Sequence, residues 1–258
     1  DIADINDDLG RYDQALDLYQ QALTIVKQID DSAGEANILH DIADIYGDQG
    51  RYDEALALFQ QALAIRRERG LRAAEAGTLD GMGTIYSYQA RYDEALALYR
   101  ESLAIRQEIG DYDGEGGTLN NIGRVYDDLG RFSEAIEAYQ QSLAIRREVG
   151  DIEGEGTTLN NLANIYWVQG GYQRALDLYQ QALAIARSIG DRSSEGIALT
   201  NIGNVYYSQD RYREALDVYQ QALAIQRTLG LPSAEAATLA DIGRSKERRV
   251  GYEGRSRR

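Results

Sequence analysis

The chain has 258 residues, no cysteine, one histidine, one proline and a formal net charge of −15, which excludes disulfides and thiolate metal sites and fits a reducing, cytoplasmic compartment. No run of about 18 apolar residues offers a membrane span, and the N-terminus lacks the basic-then-apolar order of a signal peptide. The charge is uneven: residues 244–258 hold seven Lys/Arg against two Glu, a net of +5, leaving a net of −20 on residues 1–243. An acidic body of that size repels a nucleic-acid backbone and favours a basic or neutral protein or peptide partner.

Written in rows of forty, the sequence aligns with itself without insertion or deletion. Ile2, Ile42, Met82, Ile122, Leu162, Ile202 and Ile242 share one column. Ala15, Ala55, Ala95, Ala135, Ala175 and Ala215 share a second, and Tyr19, Phe59, Tyr99, Tyr139, Tyr179 and Tyr219 a third. A fixed period in this range is the signature of stacked repeats, here about six and a half of them. The chain opens in the middle of a predicted helix, so it reads as a piece of a longer protein.

Within residues 33–70, Ala36, Leu39, Ile42, Ala43 and Tyr46 form one helical stripe, and after Gly50 a second follows in Tyr52, Ala55, Leu56, Phe59, Ala62 and Leu63. Gly50 and Gly70 suit left-handed helix ends. Ser32 and Glu35 have capping-box spacing, and Asp111, Asp151 and Asp191 stand near later helix starts. In chain order the pattern predicts helices near 12–29, 33–48, 52–69, 73–88, 92–109, 113–128, 132–149, 153–168, 172–189, 193–208 and 212–229. Small residues at Ala43, Gly83, Gly123, Ala163 and Gly203 allow close helix approach, with the tyrosine and leucine columns filling the larger gaps.

The order Leu–x–Asn–Ile–Gly–x–x–Tyr–x–x–x–Gly–x–Phe–x–x–Ala–x–x–x–Tyr–x–x–Ser–Leu over Leu119–Leu143 resembles the tetratricopeptide repeat. The forty-residue period is similar to the long-helix variety of kinesin light chains, Pins-type adaptors and bacterial multi-repeat proteins. The resemblance implies an all-α, right-handed superhelical solenoid of antiparallel helix-turn-helix units over residues 1–243. It further implies a non-catalytic scaffold that binds a peptide or partner helix in its concave groove. The alternative is a structural spacer or rod within a larger signalling or receptor protein, self-associating end to end through cut repeats.

In that family the first helix of each hairpin lines the groove, which makes three columns the candidates for contact. They are Asp4, Asp44, Thr84, Arg124, Asn164 and Asn204; then His40, Asp80, Asn120, Asn160 and Thr200; then Asp7, Gly47, Ser87, Asp127, Trp167 and Tyr207. Unlike the core columns, these change type between repeats. Acidic residues (Asp1, Asp4, Asp7, Asp8, Asp41, Asp44, Asp48) crowd the N-terminal part, where like charges at helical spacing do nothing for the fold. Asp44 and Asp80 would steer basic segments, and Arg124 is the one interior cation. Trp167, Tyr207 and the amides Asn160, Asn164 and Asn204 would supply affinity. Asn121, Asn161 and Asn201 are assigned to the fold, bonding to neighbouring backbone between hairpins.

Catalytic and cofactor patterns are missing. His40 has no cysteine to activate and no second imidazole; the Gly-rich Gly114–Gly117 follows no strand and lacks GK[ST]; and helical spacing of Asp41, Asp44 and Asp48 makes no calcium loop. After Gly243 the register fails, and the basic tail 244–258 reads as disordered or non-native sequence.

Overall fold

The computed structural model describes residues 12–255; the expectations placed on Asp1, Ile2, Asp4, Asp7 and Asp8 lie outside them. Twelve α-helices follow in order, with no strand among the described residues. The chain forms two compact units, Asp1–Leu129 and Gly130–Arg258. The first holds α1 (Tyr12–Gln28), α2 (Ser32–Asp48), α3 (Tyr52–Glu68), α4 (Arg72–Tyr88), α5 (Tyr92–Ile109) and α6 (Tyr112–Asp128). The second holds α7 (Phe132–Val149), α8 (Ile152–Val168), α9 (Tyr172–Ile189), α10 (Arg192–Ser208), α11 (Tyr212–Leu229) and α12 (Pro232–Arg255). Within each unit every helix packs on the next, and α2–α4, α4–α6 and α8–α10 touch as next-but-one neighbours. This is the helical-hairpin solenoid that the forty-residue period predicts.

Two kinds of helix start alternate. Asp31, Asp111, Asp151 and Asp191 cap α2, α6, α8 and α10, each carboxylate accepting the backbone N–H three residues on, at 3.0, 3.0, 2.9 and 3.0 Å. Such a cap contributes about 1 kcal/mol. The cap of α2 is therefore Asp31 and not Ser32; Ser32 is already helical, and its hydroxyl accepts from Arg69 instead, at 2.7 Å. The helices that follow the short turn (α3, α5, α11) start after Arg51, Arg91 and Arg211, which offer no side-chain cap. Each guanidinium reaches forward to the glutamate three residues on and lies over Tyr46, Tyr86 or Tyr206 of the preceding helix, 3.7–4.3 Å from the ring centre. That stacking closes each hairpin.

The core follows the columns. The alanines at 15, 55, 95, 135, 175 and 215 are fully buried, as are the aromatic rings from Phe59 to Tyr219. A small residue opposite each ring is a steric requirement at Gly83 and Gly203. A Cβ on Gly83 would come within 2.8 Å of the Tyr99 ring, and one on Gly203 would run into the Tyr219 ring. Gly50 and its equivalents end the hairpin's first helix with φ near +70°, while Ala90 and Asp210 accept the same backbone at φ 56° and 60°.

Over 244–255 the chain is helical, as α12 runs through to Arg255. The repeat register still operates there: Ile242 and Ser245 are buried in the places that Ile202 and Val205 occupy one repeat earlier. Position 250, where other repeats turn with positive φ, is a valine. A β-branched residue resists that conformation, so the helix continues.

Gly83→Ala should destabilise the chain by roughly 1–3 kcal/mol through overpacking against Tyr99. Gly77→Ala, on the same helix with nothing within 4 Å of a new Cβ, should stabilise it by about 0.5–1 kcal/mol. Urea unfolding followed by circular dichroism distinguishes the two signs.

Candidate functional site

The first-helix columns are tied to the core by the tyrosine hydroxyls. In the first unit Thr84 donates to the Asp80 carbonyl at 3.0 Å, so the Tyr99 hydroxyl, 2.9 Å away, donates to Thr84. In the second unit the Tyr179 hydroxyl donates to Asn164 Oδ1, and the Tyr219 hydroxyl to Asn204 Oδ1 at 2.7 Å. Each pair is fifteen residues apart. Burial pushes all three phenols up; for Tyr99 the Thr84 bond and Arg124 oppose it. Thr84, Asn164 and Asn204 are thus packing partners as well as surface residues. With Oδ1 committed to tyrosine, the side-chain N–H groups of Asn164 and Asn204 are the donors they have left to offer.

The exception is the repeat with Phe59, which has no hydroxyl to satisfy. There the column holds Asp44, and His40 lies edge-on to Phe59 at 5.0 Å. Arg66 Nη1 is 3.2 Å from His40 Nδ1. Guanidinium only donates, so the imidazole proton sits on Nε2, which faces Asp44 at 3.4 Å. Burial, then the Arg66 charge, lowers the His40 pKa to about 4. The imidazole is neutral at pH 7, and the Asp44 side chain beside it is half-exposed.

Asp80 does not stand ready to steer a partner. It is largely buried, pairs with Arg106 at 2.7 Å and accepts from Thr118 at 2.9 Å. Burial nonetheless pushes its carboxyl up, against the pull of Arg106. Asn120 is buried and Arg124 half-buried. Two arginines of the second helices are enclosed as well: Arg66, at 5 % exposure, bonds to Asn37, Ala74 and Thr78, and Arg106 pairs with Asp80. Arg146 repeats the arrangement in the second unit with Asp151 at 2.6 Å. Sequence reasoning missed this column, although its forty-residue recurrence with an aspartate five residues on at Asp111 and Asp151 was a usable signal.

In the second unit Asn201 donates to Asn160 Oδ1 at 2.9 Å, joining α10 to α8 side chain to side chain rather than through backbone. Thr200 donates to the Gly196 carbonyl and receives Gln226. Trp167 is half-buried, packs beside Ala163 and Tyr179, and its indole N–H donates to Ser208 at 3.1 Å. Tyr207 sets its ring against Tyr212, with centres 5.5 Å apart. Asn160, Asn164, Trp167, Thr200, Asn204 and Tyr207 all lie on α8 and α10, which pack together. Among the described residues no group of three His, Cys, Asp or Glu could hold a metal, and no helix is long and apolar enough to cross a membrane.

A tetratricopeptide repeat model matches residues 1–68, 75–148 and 154–228. No curated protein sequence matches. Among solved structures, the chain is similar to BtubC (BKLC) from P. vanneervenii, at 20% identity and TM-score 0.72 over 83% of this chain and 90% of that one. It is also similar to a putative kinesin light chain with nearly identical TPR-like repeats from Podosopora anserina, at 23% identity and TM-score 0.60 over 74% and 94%. A Rap protein complexed with Competence and Sporulation Factor matches at 16% identity and TM-score 0.71 over 95% and 73%. Likeness at these identities shows the fold alone.

Two outcomes follow from this geometry. A histidine whose folded pKa lies below its unfolded value of 6.5 contributes stability above pH 6.5, and that contribution is lost as pH falls toward 4. His40→Gln should flatten the stability profile between those limits by up to roughly 3 kcal/mol, measured by urea unfolding at stepped pH. Asp80→Asn should cost roughly 2 kcal/mol, less than a fully buried broken pair because Arg106 keeps Asp111, read as a shift in the urea midpoint at pH 7.

Proposed function

Because the chain belongs to the tetratricopeptide repeat family, we propose that it is a non-catalytic protein-interaction scaffold whose first-helix face holds a peptide or partner helix. The observation that carries this reading is the pairing of Asn164 and Asn204 with buried tyrosines. Each has its oxygen held by a tyrosine hydroxyl, which leaves the amino group as the donor for the backbone carbonyls of a bound peptide. Trp167 and Tyr207 on the same two helices give apolar area with little rotamer entropy to lose, because both are already braced by Ser208 and Tyr212. One structure of similar fold is of a protein holding a second molecule, the Rap complex, which supports the choice of a binding role over a purely mechanical one.

Charge selects the partner. The net of −20 over residues 1–243 and the half-exposed Asp44 carboxyl favour basic or neutral segments, with a contribution that weakens as salt rises. Arg106 and Arg146 do not reverse this, since each is neutralised by its own aspartates.

The test is an array of short synthetic peptides of graded charge, probed with the full chain. Binding should favour basic and neutral sequences; preference for peptides with acidic C-termini would contradict the charge argument. For the best peptide, Asn164→Asp keeps an oxygen for Tyr179 but replaces the amide donor with an acceptor. It should weaken binding about tenfold or more while leaving helix content unchanged, as judged by fluorescence anisotropy and circular dichroism.

A further inference from the structure

The buried arginine column has a vacancy. Arg106 and Arg146 fill equivalent places forty residues apart, each almost enclosed with its side chain only 13% and 12% exposed. Each guanidinium bonds the aspartate that caps the next helix, Asp111 or Asp151, and each Nε donates to a serine, Ser102 at 3.3 Å or Ser142 at 3.2 Å. Each also lies flat against a glycine, Gly114 or Gly154, where a Cβ would overlap it. One repeat further on, position 186 is alanine. Asp191 still caps its helix through Ser194 N–H at 3.0 Å, yet makes no ion pair among the described residues.

The space is open. A cavity of about 250 Å³ occurs there, lined by Asn160, Asn161, Ala182, Ala186, Asp191 and Ser194. These are the counterparts of the residues that enclose Arg106: Asp191 for Asp111, Asn160 for Asp80, Ala182 for Ser102 and Ser194 for Gly114. The cavity is below the roughly 300–1,000 Å³ of small-molecule sites, a size suited to one side chain. Glu153 also borders it, adding negative charge.

We infer that this cavity is a guanidinium pocket, in which an arginine side chain of a partner peptide takes the place that Arg106 and Arg146 fill in their own repeats. The inference rests on the reading of the chain as a peptide-binding scaffold. Asp191 supplies the carboxylate, and the Asn160 amide oxygen, which already accepts from Asn201, has a second lone pair to offer in place of Asp80. A planar fork of five donors matches this set; an ammonium does not reach several acceptors in one plane. Ser194 carries the Cβ that Gly114 lacks, so the incoming group sits off Ser194, toward Asn160 and Asn161, with its stem directed to solvent. Selection for arginine therefore comes from an internal template: the same fold binds the same group twice in cis. At the next equivalent place Gln226, buried and bonded to Thr200, occupies the space.

The test uses N-acetyl-arginine methylamide and N-acetyl-lysine methylamide titrated into the isotope-labelled full chain and followed by amide chemical shifts. The arginine compound should move the Asp191, Ser194, Asn160 and Asn161 signals in a saturable way, and the lysine compound should bind at least about tenfold more weakly. Asp191→Asn should weaken the arginine response by a similar factor. Ala186→Arg with Ser194→Gly rebuilds the Arg146 arrangement in cis, and should abolish the response without loss of helix content. Equal response to the two compounds, or an arginine response surviving in the refilled variant, overturns the proposal. Peptides that bind through Asn164 and Trp167 with no dependence on arginine or on position 186 would overturn the pocket alone; a working pocket in a chain that captures no peptide would overturn the scaffold reading instead.

Discussion

A tyrosine ring buried in successive repeats must find a partner for its hydroxyl, and that requirement joins the interior of this protein to its surface. An unpaired buried hydroxyl costs about 1–3 kcal/mol, a large share of the stability of any single helical hairpin. Tyr99, Tyr179 and Tyr219 meet the requirement through Thr84, Asn164 and Asn204, each on the preceding helix. The side chains that a partner would meet are therefore chosen partly by the core. Where Phe59 removes the hydroxyl, the constraint relaxes, and an aspartate and a buried neutral histidine occupy the same place. Variation along the first-helix face is thus not free drift.

The arginine column is the second organising element. A second-unit or first-unit hairpin has no core of its own beyond what it shares with its neighbours, so interfaces between repeats carry the stability. Arg66, Arg106 and Arg146 cross those interfaces: Arg106 and Arg146 bond the aspartates that cap the next helix, and Arg66 bonds the Ala74 carbonyl in the next helix's first turn. Buried ion pairs contribute little net stability against well-packed apolar groups, but removing one partner is expensive. The intact column therefore adds little net strength, and Ala186 marks the interface where it is absent.

Much of the fold was legible because the core columns repeat without insertion: helix limits fall within a residue or so of those the apolar stripes and glycines imply. Ser32 shows where spacing alone misleads, since Asp31 is the stronger cap and lies one residue earlier. The helical tail was hidden by its charge. Composition argued for disorder, whereas Ser245 in a buried repeat position and Val250 in place of a turn residue argued for helix. At the candidate site the sequence placed Asn164, Asn204 and Trp167 on first helices of their hairpins but could not show what their polar atoms already touch. Asp80 is the clearest case: its column suggests a surface carboxylate, and only the packing of α5 against α4 shows that Arg106 has claimed it. Long-range pairs of this kind have no signature in one repeat read alone.

The coupling between core and surface is most directly measured by a double-mutant cycle on Tyr219→Phe and Asn204→Ala, with urea unfolding of the full chain as the readout. The pair should show a coupling energy of about 1 kcal/mol, while Tyr219→Phe combined with Asn160→Ala, which shares no bond with it, should be additive within about 0.3–0.5 kcal/mol. Additivity of the first pair within that same margin would mean that the tyrosine hydroxyl does not set the asparagine, and that the core does not constrain the first-helix surface.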